Sequence, residues 1–224
     1  MAHADPPAWT FDELVYRAHN PRWAYLPTSG EGAARHGGHF NRQGLPALYT
    51  ALDITTAWLE AQQGFPFKAQ PMTLVAYRVS CQRIADLTDP ASLAATGIDA
   101  TDLACAWEDL ASRGLEPPTW RLADSLIAAG CQGALVPSFA PAQHPEPDAA
   151  PRRNLVLWHW SDGPPCAVRV VDDFGRLPRH GRSWQQAEQS GRDEPASGGG
   201  RWTGGERNAG RRAADAATRA WSHR

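Results

Sequence analysis

The chain has 224 residues, with 22 Lys and Arg against 24 Asp and Glu and a formal net charge of −2. That balance excludes whole-molecule steering toward nucleic acid or an anionic membrane surface. The length suits one domain plus an appendage, and no apolar run approaches the ~20 residues that span a bilayer.

One lysine, Lys68, stands against 21 arginines amid much Ala, Gly and Pro, a bias that reads as GC-rich coding rather than a recognition surface. The N-terminus, MAHADPPAWTFDE, lacks a basic-then-apolar signal pattern, so a cytoplasmic protein is expected. Cys81, Cys105, Cys131 and Cys166 include no CxxC pair. In a reducing compartment all four read as reduced, structural or incidental thiols. The eight histidines form neither HExxH nor a Cys-partnered ligand spacing, so no metal is implied.

In chain order, residues 1–10 read as a flexible leader. Glu13–His19 follows as a short strand in which Leu14 and Tyr16 face opposite to Val15 and Arg17. Arg17 is either a surface ion-pair residue or a planar fork for an anion. The loop Asn20–Ser29 carries Trp23 and Tyr25, which either anchor it by packing or wall a heterocycle. Glycines at 30, 32, 37, 38 and 44 then form a loop suited to close backbone approach. It has neither the G-K-[ST] of a P-loop nor Rossmann spacing.

Pro46–Ala51 reads as a strand, and Asp53 as the N-cap of a helix in which Ile54, Ala57, Trp58 and Ala61 make the buried stripe. Glu60 falls on the flank of that stripe, either solvated or facing a cleft. Pro71–Ser80 is a strand that Arg83–Leu87 extends or follows. Helices are expected over Pro90–Thr96, Thr101–Arg113 and Thr119–Ala129, the last ended by Gly130. Cys131–Pro137 is a strand with Ser138 at its exit, where no nucleophile elbow surrounds it. Ala140–Arg153 is a Pro-rich surface loop, and Asn154–Trp160 and Ala167–Val171 are strands. About seven strands with three or four helices in mixed order give an α+β fold. After Trp184 aliphatic residues become scarce, so 185–224 is expected to be a disordered Arg/Gly-rich tail behind a domain over 11–184.

An ordered set of short strings resembles the RES domain family, bacterial proteins that are mostly toxins of toxin–antitoxin pairs. The set is Tyr16-Arg17, Gly37-Gly38-His39-Phe40-Asn41, Leu48-Tyr49-Thr50, Leu59-Glu60, Val136-Pro137-Ser138, Asn154-Leu-Val-Leu, and Arg176-Leu-Pro with Ser183-Trp184. His39 stands where the family more often has Arg. The resemblance implies an α+β core of two small sheets with a central cleft, similar to the ADP-ribosyltransferase fold, which binds NAD⁺ as substrate. It implies catalytic roles for Glu60, Arg17 and Tyr49. It places Arg17, Gly37, Gly38, Asn41, Tyr49 and Ser138 against NAD⁺.

Cleavage of the nicotinamide–ribose bond expels a leaving group that is already cationic, so a carboxylate near the developing oxocarbenium serves better than a general acid. Glu60 takes that part. Arg17 holds the diphosphate, with backbone N–H groups of the glycine loop beside it, and Tyr49 borders the nicotinamide. The implied activity is NAD⁺ depletion with phosphate or water as acceptor; the alternative is ADP-ribosylation of a protein, and no acceptor signature chooses between them. The implied partner is a helix-turn-helix antitoxin of the Xre type, with no membrane association. A separate reading makes the protein a nucleic-acid-binding module through its tail, where residues 176–224 hold ten Arg against five Asp or Glu. Outside that reading, nucleic acid is expected only through the antitoxin.

Overall fold

The computed structural model describes residues 8–62, 71–140 and 151–182. The expectations for residues 1–7, the central part of the Pro-rich loop and the tail lie outside the described residues.

Strand β1 (Ala8–His19) begins earlier than the apolar pattern suggests, because Ala8 and Trp9 pair with Ala85 and Ile84. The leader therefore does not extend to residue 10. The glycine-rich stretch opens with a helix, α1 (Glu31–His36), and is followed by β2 (Leu48–Ala51) and α2 (Ile54–Gln62). Asp53 caps α2 as expected: its Oδ1 accepts the Thr56 amide at 2.8 Å and its Oδ2 the Thr56 hydroxyl at 2.6 Å. The long β3 (Thr73–Asp86) absorbs the segment left open at Arg83–Leu87. Four short helices follow, α3 (Pro90–Ala95), α4 (Ala100–Leu103), α5 (Trp107–Ser112) and α6 (Pro118–Ala128). Strands β4 (Gly133–Pro137), β5 (Arg153–Leu157) and β6 (Cys166–Val170) complete the set.

The expectation of two separate sheets is corrected. All six strands belong to one hydrogen-bonded sheet of order β1-β2-β5-β4-β3-β6, and β1 also pairs with β3, so the first five strands close into a ring. Only β3–β4 is parallel. Closure follows from the length of β3: one edge carries β1, while the other carries β6 at Tyr77–Cys81 and β4 at Ile84–Asp86. Side-chain alternation then gives the ring two apolar faces. Val15, Leu48, Tyr77, Val79, Leu135, Leu155 and Leu157 fill its inside. Val136, Val156 and Trp158 face outward onto Leu103, Leu122, Leu126 and Phe40. Each fully buried Leu contributes about 1.5–3 kcal/mol.

Three local expectations fail for physical reasons. Ile54 and Trp58 are 51% and 40% exposed, while Thr56 and Ala57 are buried. The face of α2 that packs inward is therefore the small one, and Glu60, at i+4 and i+3 from those residues, lies on it rather than on its flank. The single helix over Thr101–Arg113 is broken into α4 and α5. The Leu103 carbonyl contacts His39 Nε2 at 2.7 Å, and the Trp107 amide that a continuous helix would bring to it bonds Cys105 O instead. Finally, Cys81 and Cys166 are register partners on β3 and β6 and are joined in a disulfide, so they are not reduced thiols; Cys105 and Cys131 take no part in a disulfide.

Among the described residues, no helix is long and apolar enough to cross a membrane.

Candidate active site

The sheet register gathers the expected residues into two neighbouring groups. One row of paired residues runs Tyr16 (β1), Ala51 (β2), Asn154 (β5), Val136 (β4). Adjacent strands lie about 4.8 Å apart, which puts Tyr16 and Asn154 roughly 10 Å apart across β2.

Glu60 sits at the Asn154 end. Its Oε1 accepts the Ser138 hydroxyl at 2.6 Å and the Asn154 amide at 2.5 Å. Each element supplies its residue for a reason. The inward small face of α2 carries Glu60, β4 ends at Pro137 and releases Ser138, and β5 carries Asn154 one position after the Pro137–Arg153 pair that opens it. Two hydrogen bonds on one oxygen anchor the carboxyl group between β4 and β5. Asn154 presents its N–H₂ to Glu60, and its Oδ1 is buried with no hydrogen-bond partner among the described residues. In the sequence Asn154 opens a matched string but carries no expected role. A polar residue heading an apolar strand is the signal that marks it.

Arg17 sits just past the Tyr16 end of the row. Val15, Arg17 and His19 alternate along β1 and so share its inward side. The Arg17 Nη1 donates to Ser29 O at 3.0 Å and Pro27 O at 3.3 Å. Tyr77 Oη also donates to Pro27 O, at 2.8 Å, and Trp160 Nε1 to Thr28 O at 3.1 Å. Three consecutive carbonyls, at 27, 28 and 29, are thereby pinned by side chains from β1, β3 and the segment after β5. No carboxylate pairs with Arg17 among the described residues. Burial lowers its pKa from the ordinary arginine value, and burial likewise pushes Tyr77 up to about 12. A cavity of about 170 Å³ opens beside the guanidinium, lined also by His19, Trp23, Tyr25, Ser29 and Arg35.

His19 was not singled out from sequence, although its place two residues after Arg17 on a strand puts it on the same face. It is 5% exposed, and burial, with the Arg17 charge beside it, pushes its pKa down to about 4. The sign for stability follows. An unfolded His binds its proton near pH 6.5, so between about 6.5 and 4 only the unfolded chain is protonated there and acid favours unfolding. We expect His19 to account for roughly 3 kcal/mol of stability lost across that window. Denaturant titrations at pH 7 and pH 4.5 check this: the stability of His19→Phe should fall less between the two than that of the wild type.

The glycine loop has a different part from the one expected. Gly37, at φ 74°, ends α1, and a Cβ on Gly38 would lie 2.6 Å from both Asn41 Oδ1 and Tyr49 Oη, so only glycine fits there. Tyr49 Oη donates to Asn41 Oδ1 at 2.8 Å and accepts from the Phe40 amide at 2.9 Å. The Asn41 side chain is fully buried, and its Nδ2 donates to the carbonyls of Ala33, Arg42 and Leu45. The carbonyls of Gly38, His39 and Phe40 accept from Trp120 Nε1, Thr119 Oγ1 and Trp158 Nε1. The amides of Gly37, Gly38, Phe40 and Asn41 are all engaged within the protein. These N–H groups therefore do not cradle a diphosphate. Gly37, Gly38, Asn41 and the Tyr49 hydroxyl build a rigid wall, and Asn41 has no surface for a ligand. His39 stacks between Phe40 and Phe139, with ring centroids 4.7 and 5.4 Å away, which ties the loop to the residue after Ser138. Burial lowers the His39 pKa.

The family model described as RES domain matches residues 14–180. A chain in the crystal structure of the M. tuberculosis MbcT–MbcA toxin–antitoxin complex is similar at 20% identity and a TM-score of 0.47, the match covering 80% of this chain and 90% of that one. No curated protein matches the sequence.

Proposed function

Because the chain belongs to the RES domain family, we propose that it is the toxin of a toxin–antitoxin pair and that it splits the nicotinamide–ribose bond of NAD⁺. The observation that carries this reading is Arg17: a desolvated guanidinium with no carboxylate partner among the described residues, facing a cavity. A buried unpaired cation is costly, and an anionic ligand offsets that cost.

In this reading the C1′–N bond breaks with its electron pair going to nicotinamide, which leaves neutral. Glu60 favours the oxocarbenium that forms and orients the ribose 2′-hydroxyl, while Ser138 and Asn154 hold the carboxylate in place. Tyr49 walls the nicotinamide side. An oxygen of the acceptor then bonds to C1′ and its proton goes to solvent. Phosphate or water is the acceptor, the core is of the ADP-ribosyltransferase type, and an antitoxin that restrains the enzyme presents acidic groups toward Arg17.

The test is incubation with NAD⁺ in phosphate and in phosphate-free buffer, following nicotinamide release and the ADP-ribosyl product. Release of nicotinamide supports the reading, and the product identifies the acceptor. Intact NAD⁺ beside a salt-dependent DNA shift would overturn it in favour of nucleic-acid binding.

A further inference from the structure

We propose that the outer face of the sheet sector formed by β1, β3 and β6 docks an acidic amphipathic helix of a partner protein. The inference uses neither Arg17 nor Glu60 and stands apart from the NAD⁺ reading.

The register defines the face. Leu14 pairs with Arg78 and Tyr16 with Ala76 across β1 and β3, Arg78 pairs with Arg169 across β3 and β6, and the Val171 amide bonds Ala76 O at 2.9 Å. Val75, Tyr77 and Val79 point into the ring, so Leu74, Ala76 and Arg78 point away from it. Two rows result, Tyr16–Ala76–Val171 and Leu14–Arg78–Arg169, with Leu74 beside Ala76 along β3. Leu14, Leu74 and Val171 are 38%, 42% and 44% exposed. One exposed aliphatic residue is ordinary, but a strip of them on one face marks an interaction site. Elsewhere the ring carries helices on its outside: α2 packs on β1 and β2, and Leu103, Leu122 and Leu126 cover Val136 and Val156.

Charge gives the chemistry of the occupant. Arg78 and Arg169 are both exposed and stand directly opposite, about 5 Å apart at Cβ, where like charges repel. Arg78 has no hydrogen bond or ion pair among the described residues, and Arg169 donates only from Nε, to Asp162 O at 3.1 Å. The nearby acids do not neutralise the pair. Asp12 faces Ser80, one row away, and Asp172 accepts the amides of Arg176 and Leu177. Carboxylates beside an apolar stripe would relieve the repulsion and cover the aliphatic residues together.

The shape of the occupant follows from the edge of the sheet. An added strand would pair with the outer edge of β6, but Ser161 already holds it, its amide on Cys166 O at 2.9 Å and its carbonyl on the Val168 amide at 2.8 Å. The open surface is the face, which takes an amphipathic helix. A second copy seated face to face would set arginine pair against arginine pair. The chain beyond Arg182 carries seven Arg against five Asp or Glu, so charge does not favour it either.

The test is equilibrium binding of two synthetic peptides to the full-length chain, followed by fluorescence anisotropy at low salt. Both are Leu/Ala amphipathic sequences of about 18 residues, long enough to be helical, one flanked by Glu and the other by Lys. We expect the Glu peptide to bind about tenfold more tightly, the worth of several exposed ion pairs gained rather than opposed. The double variant Arg78→Glu, Arg169→Glu keeps a like-charged pair and so its fold, and the preference should reverse. Leu74→Asp should weaken the Glu peptide about tenfold. No binding of the Glu peptide, equal binding of the two, or a preference that survives the double reversal would each overturn the proposal. So would a wild-type dimer in light scattering that Leu74→Asp breaks, because the face would then belong to a second copy. Nicotinamide release on the same preparations reads the NAD⁺ proposal separately.

Discussion

Glu60→Gln is expected to lower nicotinamide release by about 10²–10³-fold, the usual worth of one preorganised electrostatic group at a developing charge, ~2.7–4 kcal/mol. The substitution is close to isosteric, and the Gln carbonyl still accepts from Ser138 and Asn154, which now contact Glu60 Oε1 at 2.6 and 2.5 Å. Folding and NAD⁺ affinity should therefore change little, so that the loss appears in kcat rather than in KM. Growth inhibition on expression should vanish with it. Wild-type turnover in the Gln variant would remove Glu60 from the chemistry and leave it as a structural partner of β4 and β5.

Arg17→Lys is the second substitution with a large expected effect. An ammonium cannot reproduce a planar fork that bonds two carbonyls through one nitrogen and, in the proposed reading, an anion through the rest. Charged hydrogen bonds contribute about 1.5–3 kcal/mol each, so NAD⁺ should bind roughly 10–100-fold more weakly. A companion variant separates function from structure. Arg17→Met removes a desolvated charge that has no carboxylate partner, so the melting temperature of the unliganded protein should hold or rise while NAD⁺ binding is lost. A large fall in melting temperature together with unchanged affinity in Arg17→Lys would make Arg17 a structural residue.

The elements that sequence made legible are those whose determinants are local. Asp53 before an apolar run, Gly130 after one, and the alternation of Val75, Tyr77 and Val79 after Thr73 all mark elements where they are found. What was not legible depends on partners distant in the chain. The break after Leu103 exists because His39, 64 residues earlier, contacts that carbonyl. Nothing between Ala100 and Ser112 announces it. The phase of α2 was misread because hydrophobicity follows the large residues Ile54 and Trp58, whereas the packed face is the small one, Thr56 and Ala57. Glu60, Arg17 and Ser138 are singled out in the sequence by their motifs. The grouping of Ser138 and Asn154 on one oxygen of Glu60 needed the β4–β5 register. The glycine loop was misassigned because glycine signals close approach without saying to what: at Gly38 the close neighbours are Tyr49 and Asn41 of the same protein.

If the proposed activity needs Asn154 on Glu60, closure of the ring sets when it can arise during synthesis. Strand β5 joins β2 to β4, and it is the last of the five ring strands in the chain. Until it has left the ribosome, β2 and β4 have no common neighbour and Glu60 lacks Asn154. Pairings this distant in sequence form late, after the loop-closure entropy has been overcome. A nascent chain that ends before Asn154 is therefore expected to be inert, and the interval between the emergence of β5 and release of the full chain is when a restraining partner has its first target. Ribosome-stalled chains ending near residue 150 should release no nicotinamide, whereas those with residues 151–182 outside the exit tunnel should do so at close to the rate of the free protein.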